Sequence, residues 1–251
     1  PGPATGLPTC TGQGELLFAL HAGHGEFPRI LVAPGDVEES IELTRDVLNL
    51  AWQFQIPAIV LSDKHLCESI FSVEPDKILS VTLEPKLWDE KNNYQRYLLT
   101  DDGISPLAFP GKKGAIVKLN SYEHDEDGIT TELPELTVKN VEKRMKKLDG
   151  IEQELKKYET VKTYGDEKSE VVLLTWGSTK GSVIEVASRL GCRVVQPLYL
   201  NPLPVWELTD KLKGAKKIID IECNATGQLG SLISAAGFKI EAKVLKYDGR
   251  P

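Results

Sequence analysis

The stretch "RILVAPGDVEESIELTRDVLNLAWQFQIPAIVLSD", residues 29–63, decides the fold. Its first eight residues, Arg29 to Asp36, are apolar and β-branched and end in a Pro-Gly-Asp turn, the pattern of a buried strand. Asp36 stands where it can cap a helix, and Glu39 stands three residues on, at the reciprocal capping-box position. Ile41, Leu48 and Ala51, with Val47, Leu50 and Phe54 beside them, then give an apolar stripe at helical spacing. "IPAIVLSD", Ile56 to Asp63, is a second apolar run. Strand, helix, strand, with both strands apolar throughout, is a βαβ unit, and its sheet is expected to be parallel. Ligands in such sheets sit at the carboxyl ends of the strands. Those ends are "APGD" and "LSDKH".

Upstream, "ELLFAL" reads as a short helix or buried apolar run after a loop rich in Gly, Pro and Thr. Downstream, from about Glu74 to Leu133, apolar periodicity fades and Asp-Gly and Pro-Gly turn signals multiply. A segment of this length without elements of its own is expected to be an ordered excursion draped over a surface. "PELTVKNVEKRMKKLDGIEQELKKYE", Pro134 to Glu159, reads as a long helix. Val138, Val141, Met145, Leu148, Ile151 and Leu155 form its apolar stripe, Gly150 weakens it locally, and its charged face is expected to be solvated. The last third alternates strands ("EVVLLTW", "CRVVQPLYL", "KKIIDIE", "KVLKYDG") with helices ("GSTKGSVIEVASRLG", "VWELTDKLKGA", "NATGQLGSLISAAG"). That density points to a small doubly wound domain.

The chain has 251 residues, 41% hydrophobic and 27% charged, with a formal net charge of -7 and a pI near 5.3. This is enough to bury a sizeable core, and the acidic balance argues against a nucleic-acid partner. No apolar run approaches the roughly 18 residues of a membrane span. No signal-peptide pattern opens the sequence, so the expected compartment is the cytoplasm. Cys10, Cys67, Cys192 and Cys223 lie far apart with no CxxC pair, which gives neither a disulfide framework nor a metal cluster site.

Several motifs weigh evenly or fall away. "TWGSTKGS" places Gly177, Ser178, Thr179 and Gly181 between a strand and a helix, where backbone N–H groups suit an anion. It lacks the P-loop spacing, so a tight turn without a ligand is the stronger reading. His21 and His24 are three apart, but Gly23 and Gly25 break a helical metal pair. The flanking glycines allow close approach of His24 to a ligand. "EHDEDG", Glu123 to Gly128, lacks the calcium-loop register and reads as a solvated acidic turn. Asn224 of "NATGQLG" is expected to cap a helix starting near Ala225.

These residues establish two α/β units and a long connection but name no substrate. An ordered set of phrases goes further. "GPATGLPT", "GQGELLFALHAGHGEFPR", "APGDVEESIELT", "QIPAIVLSDKHLCES", "LTDDGISPLAFPG", "NSYEHDEDGITTE", "WGSTKG", "NATGQL" and "LKYDGRP" resemble, in the same order, the alpha subunits of 2-oxoacid:ferredoxin oxidoreductases. They look most like the 2-oxoglutarate type, and the resemblance covers essentially the whole chain.

That resemblance implies oxidative decarboxylation of a 2-oxoacid on thiamine diphosphate, with CoA accepting the acyl group and electrons leaving to ferredoxin. It implies a beta subunit carrying Mg2+ and a [4Fe-4S] cluster, with gamma and delta subunits or a fused gamma domain as further partners; neither nucleic acid nor membrane is expected as one. Residues 1–80 are then the remainder of a thiamine-diphosphate (pyrimidine-binding) domain with a parallel sheet. Residues 81–168 are a connector, and 169–251 a transketolase C-terminal-like domain. Thr5 and Thr9 match the threonines of the substrate loop, Ala4 replaces its usual serine, and His24 is a third expected substrate contact. The family's carboxylate-binding arginine and its pyrimidine-activating glutamate are expected upstream of Pro1. No catalytic residue and no metal ligand is therefore expected within this chain, which alone should not turn over. Two rivals remain: another thiamine-dependent two-component dehydrogenase, and a non-catalytic assembly or regulatory module.

Overall fold

The computed structural model describes residues 6–74 and 84–250. The chain opens on a short helix, α1 (Leu16–His21), before β1 (Ile30–Val32), α2 (Val37–Phe54), β2 (Ala58–Val60) and α3 (Lys64–Glu68). β1 and β2 pair in parallel, Ile30 opposite Ala58 and Val32 opposite Val60, so the expected βαβ unit is present. The Glu39 N–H donates to Asp36 Oδ1 at 2.9 Å, fixing the start of α2. The Glu39 carboxylate does not close a capping box: it accepts from the Gly35 N–H at 2.7 Å. Nor is Leu48 part of the core face. It is exposed, and the helix buries Leu43, Val47, Leu50 and Phe54 instead.

The excursion between residues 84 and 133 is ordered by loop hydrogen bonds and two isolated bridges, Leu87 to Leu107 and His124 to Thr130. It leads into α4 (Pro134–Leu155). Only the far end of the expected stripe reaches the core: Ile151 and Leu155 are fully buried, whereas Val138 and Met145 are exposed. Gly150 has a packing role, since a Cβ there would stand 3.1 Å from the Phe54 ring of α2. The charged face of α4 is not simply solvated either. Lys143 and Lys147 are half-buried against the excursion.

The second unit comprises β3 (Val161–Gly165), β4 (Val171–Leu174), α5 (Lys180–Leu190), β5 (Arg193–Pro197), β6 (Tyr199–Asn201), α6 (Val205–Lys211), β7 (Lys217–Glu222), α7 (Gln228–Ala235) and β8 (Ala242–Leu245). Its sheet has the order β3-β5-β4-β7-β8, parallel except for β3 at one edge. β3, with Lys162 and Thr163 inside it, carries no apolar signature and is absent from the sequence reading. "CRVVQPLYL" is not one strand. β5 ends at Pro197, and β6 crosses to the first sheet, pairing antiparallel with β1. α7 begins at Gln228, later than expected, and Asn224 Oδ1 accepts from the Thr226 and Gly227 N–H groups in the turn before it.

Alternation along the strands assigns the layers. Ile30 and Val32 face α2 and the end of α4, in one core with Leu43, Val47 and Ile151. Leu31 and Ala33 face the other way, into a core shared with Val172, Leu174 and Trp176 of the second unit and Leu208, Leu229 and Ile233 of α6 and α7. Leu173 and Val194 face α5 through Val183 and Ala187. Helices thus cover both faces of the second sheet, as a doubly wound domain requires. The two sheets are joined by a continuous core and by the chain as it crosses from β5 of one to β6 of the other.

Candidate functional site

The carboxyl ends of both sheets converge on the N-terminal loop. In the second sheet the chain leaves β4 toward β5 on one side and β7 toward β8 on the other, so the crevice between β4 and β7 is the topological switch point. Ligands usually enter such a crevice. Here Gln13, 4% exposed, fills it. Its amide donates to the Trp176 carbonyl at 2.7 Å and accepts from the Cys223 N–H at 2.8 Å. Its own backbone N–H donates to the Cys223 carbonyl at 2.9 Å, and Asn224 Nδ2 donates to its carbonyl at 3.2 Å. Gln228 continues the seam, donating to the Gly14 carbonyl and accepting from the Leu17 N–H. Gly177 is required for this fit, because it takes φ 58° and a Cβ would stand 2.8 Å from Gln13 Nε2.

Of the recesses around this plug, two bear on the site. One, of about 200 Å³, has an apolar wall of Pro34, Leu61 and Trp176 over Gln13 and Asp63. The Asp63 carboxylate is buried and fully engaged. It accepts from the Leu66 N–H at 3.0 Å, capping α3, and from the Ser178 hydroxyl. The other is an open cleft of about 370 Å³ lined by Thr9, Cys10 and Thr11 on one side and by Lys64, His65 and Arg250 on the other. Glu68 lines the same cleft and pairs with Lys64 at 2.8 Å, and Arg250 pairs with Asp248, so the cations at its edge already have carboxylate partners. Thr9 sits in it; His24 does not. His24 lies on an exposed turn, where Gly23 (φ 103°) accommodates the Phe27 ring, and it lines neither recess. Thr5 falls outside the described residues.

The Gly-Ser-Thr-Lys turn does hold anions, but they are the chain's own carboxylates. The Lys180 ammonium pairs with Asp36 and, at 2.6 Å, with Glu39. Glu39 also accepts from Gln196 Nε2 at 2.9 Å and from the Tyr164 hydroxyl at 3.2 Å. Burial pushes both carboxyls up, but the bonds and charge of Lys180 and the backbone N–H donors outweigh it and hold them below the ordinary range. The same Lys180, despite its burial, is held above the usual lysine range, and burial beside Glu39 pushes Tyr164 up to about 12. Gly35 is the pivot, since a Cβ there would stand 2.7 to 2.8 Å from Lys180, Gln196 and Gly177. This network joins "APGD" of the first sheet to "WGSTKG" of the second.

Sequence reasoning found the loops and missed the two residues that assemble them. Gln13 is a neutral residue between glycines. Lys180 lies in a turn expected to hold no ligand, and the capping pair Asp36 and Glu39 was the available signal for its partners.

Residues 1–146 match the family described as pyruvate flavodoxin/ferredoxin oxidoreductase, thiamine diphosphate-binding. The chain belongs to this family. The 2-oxoacid:ferredoxin oxidoreductase subunit alpha of Saccharolobus solfataricus is 38% identical over all of this chain and 41% of its own length. The 2-oxoglutarate oxidoreductase subunit KorA of Mycobacterium tuberculosis is 30% identical over 92% of this chain and 36% of its own length. Among solved structures, the 2-oxoglutarate:ferredoxin oxidoreductase of Magnetococcus marinus, with 2-oxoglutarate, coenzyme A and succinyl-CoA bound, superposes over the whole chain and 44% of its own, with a TM-score of 0.86 and 34% identity. The chain spans about two fifths of the length of the curated relatives it matches. As a member of the oxidoreductase family it carries a thiamine-diphosphate-binding unit on α/β sheets, as its phrases imply. The apolar wall at Pro34, Leu61 and Trp176 suits one face of a heteroaromatic ring. Gln13 and Asp63 are spent on structural bonds, however, and among the described residues no group of three or more His, Cys, Asp or Glu side chains is placed to hold a metal ion. No helix among them is long and apolar enough to cross a membrane.

Proposed function

We propose that this chain forms one wall of the active site of a 2-oxoacid:ferredoxin oxidoreductase of 2-oxoglutarate type, as part of its alpha subunit, in the cytoplasm. The observation that carries this is the position of the Thr9 loop. It is anchored at the carboxyl ends of both sheets by Gln13 and opens on a cleft edged by Lys64, His65 and Arg250. The Thr9 hydroxyl suits the keto or carboxylate oxygens of a 2-oxoacid, and pairing of the substrate carboxylate with Lys64 or Arg250 would replace their present partners Glu68 and Asp248. Thr5, Thr9 and His24 are the proposed substrate contacts, although His24 lies on an exposed turn outside both recesses.

Thiamine diphosphate supplies the carbon chemistry when bound, and it is shared with a beta subunit that holds Mg2+ and the [4Fe-4S] cluster. What this chain does is orient. The Lys180–Glu39–Asp36 network fixes the two sheets, Gln13 fixes the loop, and Pro34, Leu61 and Trp176 exclude water from one face of the site. CoA and ferredoxin are the further reactants, with gamma and delta subunits or a fused gamma domain completing the assembly. Residues 1–80 remain the proposed thiamine unit, 81–168 the connector and 169–251 the transketolase C-terminal-like domain.

The test is anaerobic viologen reduction by the full-length subunit, co-purified with its beta partner and supplied with thiamine diphosphate and CoA. Reduction with 2-oxoglutarate in preference to pyruvate is expected. Reduction by neither, from a folded and cofactor-loaded complex, would overturn the assignment.

A further inference from the structure

The excursion and α4 line a further cavity, of about 180 Å³, that shares no lining residue with the two recesses described above. Lys143 and Lys147 stand one turn apart on α4, with Arg144 beside them, and Arg96 of the excursion also lines the cavity. Lys143 Nζ donates to the Tyr97 carbonyl at 2.7 Å and to the Ser105 hydroxyl at 2.5 Å. Lys147 Nζ donates to the Gln55 carbonyl at 3.1 Å. All three acceptors are neutral.

Among the described residues no carboxylate lies within ion-pair distance of Lys143, Lys147 or Arg96. Arg144 alone has one, Glu123 at 2.7 Å. Arg96 instead lies over the Tyr97 ring, on which His124 is stacked with ring centres 3.6 Å apart. Burial, and then the neighbouring positive charges, push both lysine ammonium groups down to about 8, and the more distant Glu126 and Asp102 only partly offset this. Three half-buried cations without an ion-pair partner are costly unless an anion completes them. A single carboxylate offers one negative charge, whereas a phosphate group offers close to two and several acceptor oxygens for the Lys and Arg donors.

We propose that this cavity is an oxyanion site that takes a phosphate group, either free or carried on coenzyme A. The coenzyme A source rests on the function proposed above; the site itself does not.

A bound phosphate favours the charged lysines, so it lowers their free-amine fraction, by about tenfold for each unit of pKa it restores. Brief acylation of the assembled enzyme with an amine-reactive ester, read by peptide mass spectrometry, measures that fraction at Lys143 and Lys147. Lys146, exposed on the same helix, is the internal control. Inorganic phosphate, coenzyme A and potassium chloride are compared at matched ionic strength. Phosphate or coenzyme A is expected to slow labelling of both lysines at least about threefold, with chloride inert and Lys146 unchanged. Protection by coenzyme A at concentrations where phosphate does nothing identifies coenzyme A as the source. Protection by phosphate with coenzyme A inert identifies the free anion. Labelling at the same rate in every arm overturns the site. Arg96→Gln, which breaks no ion pair among the described residues, should abolish protection, and protection that survives it also overturns the proposal. The phosphate arm needs no turnover, so it fails or succeeds independently of the catalytic assignment.

Discussion

Lys180→Met removes the cation that joins the two sheets while keeping most of its aliphatic volume. The Lys180 side chain is 11% exposed and that of Glu39 1%, so the carboxylate left behind is buried. Removing one partner of a buried pair costs about 3–5 kcal/mol, because the other charge stays uncompensated. Lys162, 3.4 Å from Glu39, remains as a weak substitute, and the Gly35 and Gln196 donors persist. The lower end, about 3 kcal/mol, is therefore expected. For a chain of this size that corresponds to a fall in Tm of about 6–12 °C.

The pH dependence gives a second, sharper readout. With Lys180 present, Asp36 and Glu39 sit below their ordinary 3.8 and 4.5. A carboxyl so depressed stabilises the fold above its unfolded pKa and loses that contribution as pH falls through the folded value. Without Lys180, burial dominates and Glu39 moves up, so the variant's penalty is greatest near neutrality and shrinks as Glu39 takes up a proton. Thermal unfolding by circular dichroism should show the wild-type-to-variant gap narrowing from about pH 7 to about pH 5. A gap under about 2 °C at neutral pH, or one that widens on acidification, would refute the buried-network reasoning.

Three further outcomes follow from the same geometry. Gln13→Leu leaves the Trp176 carbonyl and the Cys223 N–H without their partner, so a loss of about 2 kcal/mol is expected, with faster proteolysis in residues 6–15; unchanged Tm and cleavage would mean the plug is not structural. Thr9→Val keeps the branched shape and removes the hydroxyl, so in the assembled enzyme it should lower kcat/KM for the 2-oxoacid by about tenfold with Tm unchanged; full activity would remove Thr9 from the substrate contacts. Burial, then the charge of Glu222, raises Asp220 to about 8, so the fold holds a proton there that the unfolded chain releases above 3.8. Stability should fall between those two pH values, and Asp220→Asn should flatten that slope in a series of urea titrations.

Much of the fold is legible in the sequence because it rests on local patterns. The run Arg29 to Asp63 announces its strands through β-branched residues, and the Asp36 cap holds at the position expected. What was not legible depends on distant partners. Gln196 and Pro197 interrupt the apolar run between Arg193 and Asn201 where β5 ends, but that the chain then changes sheets is dictated by pairing with Leu31 and Val32. β3 is an edge strand with a polar alternation, and only β5 beside it makes it a strand. The charges of α4 resemble a solvated face until the excursion folds over Lys143 and Lys147. At the site, the Gly- and Thr-rich loops could be read as binding loops, but not that Gln13 closes the switch-point crevice or that the anions of the Gly-Ser-Thr-Lys turn are Asp36 and Glu39.

The central claim, that these loops form the wall of a 2-oxoacid site, is tested most directly by hydrogen exchange on the assembled, thiamine-loaded enzyme with and without 2-oxoglutarate. Slowed exchange in residues 7–13, 61–69 and 247–250, with α5 unchanged, is the predicted result. Substrate binding that leaves all three segments unchanged, while protecting the partner subunit alone, would contradict it.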